Sequence, residues 1–172
     1  MRLDTDDFAL FDLPRRFVLD TDALGARWRA LQAEVHPDRF AAEGAAAQRV
    51  AMQWAVRVNE AYRRLKEPLA RAQYLCELAG HRIDTHDNHA MPPSFLARQM
   101  HWHETLADAE SADAVRALDA DVSAQLAAVR DAVRADLDER QDAPAAVPKL
   151  REWMFLARLR GEIERRLEAL EA

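Results

Sequence analysis

The densest potential chemistry in this chain lies in three consecutive residues, His36-Pro37-Asp38. A histidine two residues from a carboxylate has the makings of a general base and its orienting acid. The same pair on a proline-stiffened turn makes a docking tip. Its short carboxylate can accept charge-assisted bonds from a partner's arginine, and the proline limits the entropy lost on binding. The catalytic version needs a nucleophile, and the only serines are Ser94, Ser111 and Ser123, each suited to a helix cap or face. No Gly-rich phosphate loop or nucleophile elbow is present. The expectation is a docking tip on a protein that is not an enzyme.

A metal site would have to draw on His81, His86, His89, His101 and His103. On a helix His101 and His103 stand about 200° apart around the axis and cannot chelate one ion together. His81, His86 and His89 fall in a polar, proline-flanked stretch that a metal would have to order, so solvated linker histidines are expected, with no metal and no cofactor. The single cysteine, Cys76, excludes an internal disulfide, and its place beside Leu75 and Leu78 suggests a small buried hydrophobe.

The elements that must hold the tripeptide are two amphipathic helices. The first starts at Asp20 or Thr21, either able to cap it, and carries Leu24, Trp28, Leu31 and Val35 on one face. Pro37 steers His36 away from α geometry and ends that helix. After a turn-like Arg39 to Gly44, a second stripe runs through Ala47, Val50, Ala51, Trp54, Val58, Ala61, Tyr62 and Leu65 until Pro68. An antiparallel hairpin with His-Pro-Asp at its tip follows. A short helix from Leu69 to about Ala79 ends at Gly80, whose freedom at positive φ suits a helix stop.

Residues 81–93 are polar and end in a double proline, which marks an interdomain linker. Ser94 can cap the next helix, which runs to about Ala109 with Phe95, Gln99, Trp102 and Leu106 in line. Ser111 opens a long helix with Val115, Leu118, Val122, Leu126, Val129, Val133 and Leu137 at three- and four-residue intervals. Pro144 and Pro148 separate it from a last helix striped by Trp153, Leu156, Leu159, Ile163, Leu167 and Leu170. Short connections between such helices make a three-helix bundle. Leu96 and Met100 widen the apolar arc of the first bundle helix beyond what one seam needs.

Composition agrees with an all-α protein: 172 residues, 49% hydrophobic, with only 4 glycines. The net charge is −6, and the imbalance lies in the second half: residues 1–80 carry 12 basic and 12 acidic side chains, residues 81–172 carry 12 and 18. That balance argues against phosphate backbones, so no nucleic-acid partner is expected. Neither a signal segment nor a run of about 20 apolar residues occurs, which points to a cytoplasmic protein without a membrane partner.

This arrangement resembles the J-domain, the module that stimulates the ATPase of DnaK-class chaperones. The stretches Asp7-Phe8-Ala9-Leu10-Phe11-Asp12-Leu13-Pro14, Asn59-Glu60-Ala61-Tyr62 and Lys66 to Leu75 are similar to its first helix, the end of its third and its fourth. Together they point to the HscB family of iron-sulfur co-chaperones, in which a short J-domain is followed directly by a three-helix domain. The resemblance implies a J-domain over residues 1–80, a linker over 81–93 and a scaffold-binding domain over 94–172. It implies contact with a DnaK/HscA-class chaperone through His36, Pro37, Asp38 and Arg39, with Arg27 and Arg29 as the basic helix face. It further implies that an IscU-type scaffold binds Leu96, Ala97, Met100, His101 and Glu104, with Phe155 as an aromatic from the last helix.

Where that family often has a second large apolar residue and an acidic one, this chain has Ala97 and His101, so the face is smaller and less negative. The cysteine-rich metal module of some relatives is missing, and no cluster is expected on the protein itself. An alternative keeps the J-domain but gives the bundle an unrelated client or a dimerisation role.

Overall fold

The computed structural model describes residues 5–83 and 91–171. His86 and His89 of the expected linker lie outside the described residues. Among the described residues every regular element is helical, and the chain divides into two compact units, Met1–Leu75 and Cys76–Ala172.

In the first unit α1 (Asp7–Leu10) begins at Asp6, whose carboxylate accepts from the amides of Phe8 and Ala9. Burial pushes the Asp6 carboxyl up, but the Arg15 guanidinium at 2.7 Å and the two amides outweigh it and hold it below the usual range. Helix α2 (Thr21–Glu34) starts at Asp20, which accepts from the Asp22 and Ala23 amides, so the aspartate, not Thr21, is the cap. Helices α3 (Ala45–Lys66) and α4 (Pro68–Leu78) follow. Leu24, Ala51, Val58, Ala61 and Leu65 fill the seam between α2 and α3 together with Phe8 of α1. Val50, expected in that seam, is 53% exposed, because it sits at the margin of the α3 arc.

Polar ties add to the apolar core of this unit. Asp7 is fully buried and meets two guanidinium groups of α3, Arg57 at 2.7 Å and Arg64 at 3.2 Å. Its backbone N–H donates to the Tyr74 hydroxyl on α4 at 3.0 Å, so one residue links three helices. Arginines also satisfy carbonyls left over at helix ends: Arg71 donates to the Leu65 carbonyl at 2.6 Å, and in the second unit Arg166 donates to Ala109 at 2.9 Å.

The chain leaves α4 through Gly80 at φ 86, with the His81 amide bonded back to the Cys76 carbonyl at 2.8 Å. Cys76 is buried, and burial pushes its thiol up to about 11.

The second unit holds α5 (Pro93–Asp108), α6 (Ala112–Arg134) and α7 (Ala143–Glu171). The α6 stripe from Val115 to Val133 and the α7 stripe of Trp153, Leu156, Leu159 and Ile163 are buried, and the two helices pack along their lengths. Three expectations change here. Helix α5 starts two residues earlier than a Ser94 cap would allow, with Pro93 in its first turn, where a missing N–H costs nothing, and no side-chain cap. Leu137 leaves the stripe because Ala135–Arg140 is a π-helix. Its wider turn brings Asp136 inward instead, buried between Arg140 at 2.5 Å and Lys149. Pro144 and Pro148 do not separate the helices: both lie inside α7, near its start. Pro144 occupies the first turn, where an N–H would have no partner within the helix and its lack costs nothing, and Asp142 caps that turn through the Ala145 amide at 3.1 Å.

Candidate functional site

The described residues offer two places where side chains stand outward on a rigid support. One is the tip of the α2–α3 hairpin. Its support is a polar lock: Asn59 accepts from the Trp28 indole N–H at 3.0 Å and from the Gln32 amide at 2.7 Å, and Trp28 stacks on Tyr62 at 4.6 Å. A stripe of apolar positions shows that the helices meet, while Asn59 sets the register in which they do.

The tip itself is more ordered than a turn. Pro37–Glu43 is a 3₁₀ helix with His36 as its N-cap, and the His36 Nδ1 accepts the Asp38 amide at 3.3 Å. Proline fits the first position because no N–H is wanted there. The His36 and Asp38 side chains are 56% and 90% exposed, and the ring and carboxylate stand 3.6 Å apart. Arg39 folds back, donating to the Ala33 carbonyl at 3.1 Å in the last turn of α2, and so ties the 3₁₀ helix to its pedestal. Arg27 is about two turns down α2, paired with Asp12 at 2.6 Å, and Arg29 lies exposed with its guanidinium over Gly25. The structure thus brings His36, Pro37, Asp38 and Arg39 together and leaves Arg27 and Arg29 on the flank.

Beside the tip, Val35, Phe40, Ala47, Val50 and Trp54 line an open apolar groove of about 400 Å³. Periodicity does not announce it, since the 3₁₀ helix supplies one wall.

The second place is the outer side of α5. Leu96 and Met100 are 41% and 65% exposed, and among the described residues of this unit they are the exposed large hydrophobic side chains. Ala97, His101 and Glu104 are exposed beside them. At about 100° per residue, Leu96, Met100 and Glu104 form one strip, with Ala97 and His101 along one margin and His103 along the other. Helix α5 cannot roll easily: the Trp102 indole donates to Asp121 at 2.7 Å and Arg98 to Gln125 at 2.8 Å, both on α6. Burial raises the Glu152 carboxyl of α7 above its ordinary range despite the nearby Arg98 and Lys149.

Phe155 is half-buried, not free on the surface. Its ring contacts Phe95, Trp102 and His103, so it joins the strip from the His103 side and also supports the bundle. His103 is the residue that sequence reasoning treated only as a metal candidate. Its signal was its position next to Trp102, on the side of α5 turned toward the α7 stripe.

No described helix is long and apolar enough to cross a membrane. Over residues 91–164 the sequence matches the family described as the HSCB C-terminal oligomerisation domain. It is 51% identical over 159 residues to the co-chaperone protein HscB homolog of Bordetella petrii, covering 92% of this chain and 94% of that one. The solved chaperone HscB from Vibrio cholerae superposes with a TM-score of 0.89 at 35% identity, covering 96% and 99% of the two chains. Human co-chaperone HscB superposes at 0.90 with 30% identity, covering 96% and 84%.

Proposed function

This chain belongs to the HscB family of co-chaperones, and from that premise we propose that it is an adaptor in iron-sulfur cluster assembly. Its hairpin tip stimulates the ATPase of a DnaK/HscA-class chaperone, and its α5 face holds an IscU-type scaffold as client. The observation that carries the reading is the tip: a carboxylate 90% exposed on a 3₁₀ helix that His36 caps and Arg39 ties back to α2. A fixed, solvated Asp38 is built to accept bonds from a cationic partner group, and charge-assisted bonds of that kind are about twice as strong as neutral ones.

On this reading His36 acts at close range by ordering the tip through the Asp38 amide, and Arg39 by clamping it to α2. Neither role involves bond chemistry in this protein. Holding the client while the tip triggers ATP hydrolysis converts two modest contacts into one intramolecular event and raises the client's effective concentration at the chaperone. The domain division that goes with it is a J-domain over residues 1–80, a linker over 81–93 and a client domain over 94–172.

A single-turnover ATPase assay with the DnaK/HscA-class chaperone tests the proposal. His36→Gln and Asp38→Asn are each expected to remove stimulation, and full stimulation by either variant overturns the J-domain role. A fragment ending at Gly80 should retain basal stimulation and lose the additional stimulation that scaffold confers on the full chain.

A second reading, self-association of residues 91–164, is favoured by the match there to a family known as an oligomerisation domain. Sedimentation of the full chain across a hundredfold range of concentration separates it from the first: a concentration-dependent mass that scaffold does not reverse supports the oligomeric role.

A further inference from the structure

Three rings surround Phe155 on α7. Phe95 meets it edge-on at 5.6 Å, Trp102 lies within 18° of parallel at 6.3 Å, and His103 meets it edge-on at 5.6 Å and 81°. Phe95 and Trp102 are buried and belong to the core of the unit. His103 is exposed, so its place against Phe155 is not accounted for by burial. It is held from α7 at a second point, where its Nδ1 comes within 3.7 Å of Glu162 Oε2, about two turns beyond Phe155.

We propose that His103, steadied by Glu162, is a positioning residue that fixes the Phe155 ring against the Leu96–Met100 strip, so that the client meets one preset aromatic surface. The inference rests on the client-face reading of α5 and adds to it two residues that reading does not include.

The physical argument is preorganisation. A half-buried phenylalanine left open on one side would have to be ordered when a partner docks, and that ordering subtracts from affinity. Core rings on two sides and an imidazole on the third settle its orientation beforehand. The need is greater here because Ala97 contributes little apolar area to the strip, which leaves Leu96, Met100 and Phe155 as its large members. A histidine suits the position: its ring offers the edge-to-face geometry that aromatic pairs prefer, and its polar nitrogen can face water and Glu162.

Calorimetric titration of an IscU-type scaffold into the full chain tests the proposal, with Phe155→Leu, His103→Ala, His103→Phe and Glu162→Gln as variants. Phe155→Leu is expected to lower affinity clearly while keeping the core filled. His103→Ala should weaken binding about three- to tenfold, the size of one lost edge-to-face contact. His103→Phe, which restores the ring but not the nitrogen that faces Glu162, should return affinity to within about twofold of the wild type. Glu162→Gln should fall between wild type and His103→Ala. In proton NMR spectra of the free protein, cross-peaks between the His103 and Phe155 rings should weaken in Glu162→Gln.

If Phe155→Leu weakens binding but His103→Ala does not, the positioning role is overturned and the client face stands. If His103→Phe binds as poorly as His103→Ala, the imidazole contacts the client directly, and positioning is again overturned. If Phe155→Leu binds as wild type, the client-face reading fails and takes this inference with it.

Discussion

The hairpin tip and the α5 face solve the same problem, presenting side chains outward from a fixed support, with a different balance of polar bonds and ring packing. Beneath the tip the fixing contacts are polar: Asn59 between Trp28 and Gln32, Asp7 between Arg57 and Arg64, and Arg39 on the Ala33 carbonyl. Beneath the α5 face the Trp102–Asp121 and Arg98–Gln125 bonds to α6 are joined by a ring cluster, Phe95, Trp102 and His103 around Phe155. The presented groups differ in the same way, a solvated carboxylate at one and the exposed apolar side chains of Leu96 and Met100 at the other. A charged tip gains from steering and releases readily, which suits a trigger. An apolar strip gains from removing surface from water, which suits a grip.

The contrast breaks most visibly if the two sites are not separable. Asp38→Asn should abolish chaperone stimulation, leave scaffold affinity unchanged and leave the melting temperature within about a degree, because the carboxylate supports nothing beneath it. Loss of scaffold binding in that variant would join the two sites into one.

The reciprocal change is Leu96→Ala with Met100→Ala. Each side chain stands to contribute about 1.5 to 3 kcal/mol when fully covered by a partner, so the pair should cost on the order of a hundredfold in scaffold affinity with basal stimulation intact. The free protein should melt normally, since both side chains already face water. Adding Phe155→Ala should weaken binding further and also lower the melting temperature, because that ring is half-buried against three others. Early melting in the double variant would show that the strip is core rather than interface.

Salt offers a graded test. Raising ionic strength from about 0.05 to 0.5 M shortens the screening length several-fold. Half-maximal stimulation should then require several-fold more co-chaperone, while scaffold affinity changes little. Equal salt dependence at the two sites would remove the distinction between trigger and grip.

The smallest effect concerns the pedestal. Asn59→Ala leaves the Trp28 indole N–H and the Gln32 amide without their acceptor, at a cost of about 1 to 3 kcal/mol in denaturant unfolding. Stimulation should fall only partly, since the His36 and Arg39 bonds that order the tip remain. Complete loss of stimulation would mean that hairpin register, not the tip's own bonds, governs presentation.

The sequence by itself determined where the helices run, that two of them form a hairpin with His-Pro-Asp at its end, and that three more follow as a bundle. Period and punctuation carry that information, because an apolar side chain every three or four residues marks a buried face and Pro37, Pro68 and Gly80 mark its ends. Tertiary structure alone decided what each face meets. Asp7 reads as an ordinary first-turn carboxylate until Arg57, Arg64 and Tyr74 close over it, and Pro148 reads as a helix breaker although α7 carries it. Leu137 fits the α6 period, but in the π-helix it is only half-buried, and Asp136, paired with Lys149, takes the buried position. His103 shows no function by spacing, because its partners, Phe155 and Glu162, stand more than fifty positions away. Periodicity is a property of one helix. The identity of the neighbour that fills a groove, pairs a charge or holds a ring belongs to two helices at once, and only packing supplies it.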